Sequence, residues 1–450
     1  MMNQPRTNQS IGPAGIPAAE TMTLPDPNAK IKQLDDLCRH LMKVHRDPAS
    51  TALASEITES YHELNHSERV RFMTCLSTNY DVQPEAIIGA AKNYEASPTF
   101  ANLQALNRLV ETPRQRLFRC INTAPNGLET LVRMRQDLLE FELPIRIALG
   151  PVEEDLKHLL QSWFNRGFLQ LERIDWSSSA SLLEKLIEYE AVHQISDWDD
   201  LRRRLQNDRR CYAFFHPSLK AEPLVFVEVA LTQAISGNIN DLIKHDSDVS
   251  NASVADTAMF YSISSCQRGL RGISFGGLLI KQVVNVLRAD LPGINTFSTL
   301  SPTPSFLRWL GQQEPAYLGE CHQLISDQQS GVVSDETQNL DERLKRIESL
   351  REPLMSLMAD YLLNAKIDGR PVDSVARFHM GNGAQLRTIH WMADTSENGL
   401  NSSLGMMVNY VYELDQIQNN RQNFLHHNIV SAHPSVHGLA RVHSKREQSK

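Results

Sequence analysis

The stretch Thr257-Ala-Met-Phe-Tyr-Ser-Ile-Ser-Ser-Cys-Gln-Arg-Gly-Leu-Arg-Gly-Ile-Ser274 decides how the larger part of this 450-residue chain is read. Thr257–Ser264 has the make-up of a strand, and Gln267–Ser274 is a turn carrying two glycines. A helix follows over Phe275–Leu287, with Leu279, Val283 and Val286 on one face. Pro292-Gly293 ends it, and Ile294–Leu300 is the next strand. The glycines at the turn can do either of two things. Gly269, Gly272, Gly276 and Gly277 can leave the first backbone N–H groups of the helix open to a pyrophosphate, with Arg268 and Arg271 beside them. They can equally serve close helix–strand packing. Neither a GxxxxGK[ST] loop nor a dinucleotide fingerprint is present.

Upstream of this unit, Phe168–Trp176 alternates like a strand and Leu182–Val192 reads as a helix. Tyr212–Phe215 and Leu224–Leu231 are strands, the second so continuously apolar that it belongs in the middle of a sheet. Glu228 interrupts it, either as a base or as the partner of an arginine. Downstream, Phe297-Ser-Thr-Leu-Ser-Pro-Thr-Pro-Ser-Phe-Leu-Arg-Trp-Leu310 ends a strand at Ser301 with a rigid two-proline turn. Gln323–Arg351 is polar enough for a surface helix with a loop. Val375–Met380 and Ala384–Trp391 form a hairpin around Gly381-Asn-Gly383.

Before Gly167 nearly everything has helical period, broken at Asp47-Pro48, Pro84, Pro113, Pro125-Asn-Gly and Gly150-Pro151. The expected organisation is a disordered tail over residues 1–30, an all-α bundle for packing or oligomerisation over 31–167, a catalytic domain over 168–440 and a disordered tail over 441–450. The fold class is α+β: a helical bundle followed by a mixed α/β domain.

A net charge of −8, with 41% hydrophobic and 22% charged residues, describes an ordinary globular protein and no nucleic-acid partner. No apolar run approaches the roughly 18–20 residues that span a bilayer, so no membrane partner is expected. The N-terminus has no signal-peptide pattern. Six scattered cysteines without a CxxC pair fit thiols in a reducing cytoplasm. His426, His427, His433, His437 and His443 suggest metal by count only; their spacing in a polar tail points to disorder, and no metal site is assigned. Arg202, Arg203, Arg204, Arg209 and Arg210 form a basic cluster, read as a solvated helix face or a contact for a phosphate.

Strand, glycine turn into a helix and strand resembles the GNAT-type acyltransferase core, in which that turn grips the pyrophosphate of coenzyme A. Gly269-Leu-Arg-Gly-Ile-Ser274 departs from the usual Gln/Arg-x-x-Gly-x-Gly/Ala by having Gly first and Ser last. Five blocks in order narrow the resemblance. Phe260-Tyr-Ser-Ile-Ser264, Gln267–Gly272, Phe297–Pro304, Phe378-His-Met-Gly-Asn-Gly-Ala384 and Trp391-Met-Ala-Asp394 together resemble the malonyl-CoA decarboxylase family from about Phe168 to Tyr412. The helical region before them suits that family's N-terminal bundle, and the resemblance implies a GNAT-like catalytic domain.

The resemblance implies a catalytic pair at Ser301 and His379. It also implies acyl-CoA contacts at Arg271, Gly272, Ile273, Ser274, Phe275, Gly276, Gly277 and Ile280. Read alone, Ser301 is a turn or N-cap serine and His379 a surface histidine sharing a strand face with Arg377. The family's reaction takes malonyl-CoA to acetyl-CoA and CO2 and needs no cofactor, because the thioester carbonyl absorbs the electron pair. The serine is described there as proton acceptor and the histidine as donor. A hydroxyl's high intrinsic pKa favours a positioning role for Ser301, and a histidine titrating near neutrality suits proton delivery. His390-Trp-Met-Ala-Asp394 is expected to line or support the site without a catalytic role. The implied protein is a cytoplasmic homo-oligomer. Two other readings share the fold: a CoA-dependent acyltransferase, and a non-catalytic malonyl-CoA sensor.

Overall fold

A computed structural model describes residues 28–44, 48–164, 166–219, 222–244, 251–273, 279–329 and 340–447. The chain divides into two compact units at Ile121/Asn122. The first unit is all helical: Ala29–Leu41, Pro48–His62, His66–Asn79, Pro84–Ala96, Phe100–Val110 and Pro113–Ile121. Local chemistry sets these bounds. Prolines open three of the helices, where a missing N–H removes no intrahelical bond. Asn65 starts another as a capping box: its side chain accepts from Glu68 N and Glu68 accepts from Asn65 N. Leu34, Cys38, Ile57, Tyr61, Phe72 and Leu76 are among the residues that form the interior.

The second unit begins with the helices Gly127–Glu140, Leu143–Ala148 and Gly150–Trp163. Read by period alone these extend the helical bundle to residue 167, yet they lie in the same unit as the sheet. Leu128, Val132, Leu160 and Phe164 share one apolar cluster with Tyr212, Phe214, Val227 and Phe260. The apolar faces of Gly127–Glu140 and Gly150–Trp163 therefore cover the sheet.

The strands are β1 Gln170–Ile174, β2 Arg209–Phe215, β3 Pro223–Thr232, β4 Thr257–Ser265, β5 Thr296–Thr299, β6 Ser301–Pro302, β7 Lys366–Ile367, β8 Arg370–Pro371, β9 Gln385–His390 and β10 Met407–Val411. β7 and β8 form a separate ribbon. The main sheet runs β1-β2-β3-β4-β5-β10, and β9 pairs β10 on its other side. Val411 lies opposite Ser298 and Val408 opposite Ser301, three residues on in one strand and three back in the other. β6 therefore continues β5 along the same flank of β10, with an interruption at Leu300. Among the described strands, β4 and β5 are the pair that runs parallel, joined through the helix Leu279–Asp290. Leu279, Ile280, Val283, Val284 and Leu287 are the buried stripe of that helix. This mixed arrangement follows the expected order of elements.

The β4–β5 pairing ends early. β4 pairs β3 from Thr232↔Thr257 to Val225↔Ser265, but pairs β5 only from Thr257↔Thr296 to Phe260↔Thr299. Beyond Phe260 the two strands part, leaving a wedge in the sheet.

Three expectations change. Val375–Met380 is not a strand: Ser374–Gly381 is a helix, and the antiparallel partner of β9 is β10. Six residues are too few to separate a period of 2 from one of 3.6. Asp373 decides, because its carboxylate accepts from Val375 N at 3.0 Å and Ala376 N at 2.9 Å. The polar C-terminal region carries the helices Ile417–His427 and Pro434–Glu447, the second reaching into the segment 441–450 expected to be disordered. The basic cluster is solvated only in part: Arg202 is exposed and Arg210 half-buried, whereas Arg203 and Arg204 are buried, pairing Asp208, Asp200 and Glu228, and Arg209 is buried against Asp208 and the Leu242 carbonyl oxygen. Among the described residues no helix is long and apolar enough to cross a membrane. The residue 1–27 part of the expected N-terminal tail lies outside the described residues.

Candidate active site

The wedge between β4 and β6 opens into a cleft of about 1080 Å³. One wall is β4 from Phe260 to Ser265, with the turn Gln267–Ile273 beyond it. The opposite wall is the helix Ser374–Gly381 together with Arg421, Phe424 and Leu425. Arg268, Arg271, Arg370, Arg377 and Arg421 all border the cleft, a local cationic lining in a chain of net negative charge. Such a lining is suited to an anionic ligand.

The glycine turn is held from behind. Arg135, on the helix Gly127–Glu140, donates to the Gly269 carbonyl oxygen at 2.6 Å, and Glu153 accepts from Arg135 at 2.9 and 2.7 Å. A Cβ at residue 269 would overlap the Val132 carbonyl oxygen, so only glycine fits there. Gly269 thus serves close packing. Arg271, Gly272 and Ile273 border the cleft itself, together with Ser301 and His379. Ile280 does not: it is buried in the core, and its neighbour Leu279 faces the cleft. Ser274, Phe275, Gly276 and Gly277 lie outside the described residues.

Ser301 and His379 meet at the inner end of the cleft. Ser301 Oγ is 3.1 Å from His379 Nε2, and Ser301 donates to Thr299 Oγ1 at 2.9 Å. On the far side of the ring, Nδ1 is 2.8 Å from the Tyr412 hydroxyl. The imidazole stacks on Tyr410, centroids 4.7 Å apart at 21°. His379 faces inward because Ala376, His379 and Met380 form the buried stripe of its helix.

Burial pushes the His379 pKa down to about 3. A cation stacked on Tyr410 would gain about 1–2 kcal/mol, but removing it from water costs several. The neutral imidazole wins. This corrects the expectation of a histidine titrating near neutrality in the free protein.

The network assigns the tautomer. Burial pushes the Tyr412 pKa well above the ordinary phenol value, so its hydroxyl keeps its proton. His379 Nδ1 is the partner available to it, so Tyr412 donates to Nδ1. The ring proton then sits on Nε2 and points at Ser301 Oγ, which passes its own proton toward Thr299. A directed chain runs from Tyr412 through His379 and Ser301 to Thr299.

Glu228 faces away from this chain. Arg204 donates to it at 3.0 Å, and burial nevertheless pushes its pKa up to about 8. Among the described residues no group of histidine, cysteine, aspartate and glutamate side chains could hold a metal ion. Sequence reasoning missed Thr299, Tyr410 and Tyr412. The one local signal is the spacing of the two tyrosines, which puts them on one face of a strand.

Comparison with known proteins places the chain in one family. Residues 167–450 match the family model for the malonyl-CoA decarboxylase C-terminal domain, and residues 80–164 match that for its N-terminal domain. The chain is 36% identical over 411 residues to a mitochondrial malonyl-CoA decarboxylase of Anser anser anser, covering 84% of this chain and 81% of that protein. It is 39% identical over 350 residues to the Rattus norvegicus protein of the same name, covering 72% and 70%. Solved malonyl-CoA decarboxylases from Rhodopseudomonas palustris and Agrobacterium vitis superpose with a TM-score of 0.81 each. The first is 38% identical and covers 90% of this chain and 98% of its own; the second is 43% identical and covers 91% and 99%.

Proposed function

The chain belongs to the malonyl-CoA decarboxylase family and is a carboxy-lyase, and from that premise we propose that Ser301 and His379 carry the conversion of malonyl-CoA to acetyl-CoA and CO2. The observation that supports this most is the buried Ser301–His379 pair at the inner end of a cleft whose rim is lined with arginine. The rim suits the phosphates of coenzyme A, and Arg271, Gly272 and Ile273 are its contacts nearest the helix Leu279–Asp290. Ser274, Phe275, Gly276 and Gly277 complete that contact in this reading.

The electron pair of the breaking C–C bond moves onto the α-carbon and the thioester carbonyl, and CO2 leaves. The carbon then takes up one proton, so each turnover consumes one. Decarboxylation therefore needs a carboxylate held out of the carbonyl plane, a stabilised enolate and a proton donor. Ser301 turns its hydroxyl from Thr299 to the malonyl carboxylate and orients it. That carboxylate is an anion brought beside a neutral imidazole, which raises the His379 pKa and draws a proton onto the ring. The added proton comes from solvent and binds Nδ1, the bare nitrogen at rest, with the Tyr412 hydroxyl turning to accept from it. The imidazolium then gives its Nε2 proton to the α-carbon, and exchange with solvent restores the resting tautomer. Tyr412 keeps the ring oriented throughout. The substrate is its own electron sink, so the reading calls for no cofactor.

The six cysteines are free thiols, which supports a reducing compartment such as the cytoplasm. The helical first unit makes a homo-oligomer the natural assembly in this reading. The test is to incubate the purified protein with malonyl-CoA alone and follow acetyl-CoA and CO2. Product release in a one-to-one ratio is expected. Binding without product would instead favour a sensor, and product only with an added amine would favour an acyltransferase.

A further inference from the structure

The interruption of the strand at Leu300 has a chemical cause. Tyr412 N donates to the Phe297 carbonyl oxygen at 2.9 Å. Two residues on, an unbroken antiparallel ladder would have Tyr410 N donate to the Thr299 carbonyl oxygen. That pairing is missing from the register of β5 with β10. Tyr410 N donates instead to the side-chain oxygen Thr299 Oγ1, at 3.2 Å. The Thr299 carbonyl oxygen accepts from the carboxamide of Asn409 at 2.7 Å. A side chain on each strand has replaced one ladder bond.

Asn409 is fully buried and all of its polar groups are engaged. Its second N–H donates to the Ser236 carbonyl oxygen at 3.1 Å. Its Oδ1 must then be the acceptor, and His390 Nε2 donates to it. His390 is in turn packed against Gly237, where a Cβ would overlap its imidazole. The break in the ladder is thus built from four positions: Asn409, His390, and the backbone at Ser236 and Gly237.

We propose that Asn409, oriented by His390, is the positioning residue that holds Thr299 and through it Ser301. Asn409 turns the Thr299 carbonyl out of the ladder. This lets Tyr410 N bind Thr299 Oγ1, which fixes the hydroxyl that receives the Ser301 proton. Leu300 N still donates to the Phe260 carbonyl oxygen at 2.9 Å, so the same kink lies where β5 leaves β4 and the cleft begins. The inference rests on the reading of Ser301 as catalytic.

The test uses the full chain with malonyl-CoA as substrate. Asn409→Ala is expected to lower kcat at least about tenfold, with KM changed by less than about threefold. Because Asn409 acts through Ser301, the same substitution in a Ser301→Ala background is expected to leave the residual turnover unchanged. An unchanged kcat for Asn409→Ala, or an equal loss in both backgrounds, overturns the proposal. Should Ser301→Ala itself retain full activity, the reading of the site fails instead. If Asn409→Ala does not fold, or residual turnover is too slow to measure, two variants of His390 take over. His390→Leu removes the donor to Asn409 and is expected to lower kcat. His390→Gln keeps a donor there and is expected to recover most of it, while equal kcat in the two variants overturns the proposal.

Discussion

The Tyr410 ring lies 4.7 Å from the His379 imidazole and nearly parallel to it, sealing one face of the ring from water. This contact and the surrounding apolar wall keep the His379 imidazole neutral at rest. The consequence can be read in stability as well as in catalysis. In the unfolded chain His379 titrates near 6.5, and in the folded protein near 3. Between those values the unfolded state binds the extra proton, so stability is complete above about pH 6.5 and declines as pH falls toward 3. His379→Asn removes this proton uptake. The variant is expected to lose less Tm than the parent on going from about pH 7.5 to about pH 4.5. His193 and His216, whose pKa values burial also lowers, are common to both proteins and cancel. Equal losses would refute the assignment of His379 as a buried neutral group.

Turnover is expected to fall by about 10²- to 10⁴-fold in Ser301→Ala and in His379→Asn, while affinity for coenzyme A changes little. Steady-state acetyl-CoA release and a binding titration with coenzyme A separate the two effects. Full activity in His379→Asn would remove it as the proton donor.

Tyr412→Phe deletes the hydroxyl that selects the tautomer and leaves the apolar ring in place. A roughly tenfold drop in kcat is expected as the ring loses its fixed orientation. The ¹⁵N shifts of the imidazole provide a direct check. The parent should show a protonated Nε2 and a bare Nδ1 near neutral pH, and the variant a mixture of the two tautomers.

Gly269→Ala forces a methyl group against the Val132 carbonyl oxygen and displaces the turn from the helix behind it. The expected result is a KM for malonyl-CoA raised several-fold with kcat nearly kept, alongside a stability loss of about 1–3 kcal/mol. A fall in kcat at constant KM would place the turn's influence on the chemical step instead.

Much of the fold was legible because its strongest elements announce themselves locally. β3 is an apolar run broken only by Glu228, β4 leads into a glycine turn, and the helix after it carries an apolar stripe read at Leu279, Val283 and Val286. The structure buries the first two together with Leu287, and leaves Val286 half-buried. Ser301 and His379 were legible only through the family resemblance; alone, the one looks like a cap and the other like a surface residue. What the residues could not disclose was long-range pairing. β10 is buried at all five positions, so its pattern shows no inner or outer face and gives no hint that it would lie beside β6. Without that neighbour, Tyr410, Tyr412 and Asn409 have no visible connection to a serine more than a hundred residues earlier. The helix at Ser374–Gly381 was misread for the opposite reason: its short alternation looked decisive, while the single aspartate that caps it did not.

The register of β10 against β6 also bears on how the chain acquires its activity. Thr299 and Ser301 come from one segment, His379 from a second, and Tyr410 and Tyr412 from a third near the C-terminal end. No fragment that stops short of Tyr412 contains the whole constellation. With Ser301 and His379 as the proposed catalytic pair, a nascent chain is expected to stay inert until this strand has emerged and slotted into place, and the appearance of turnover during synthesis or refolding then reports completion of the sheet.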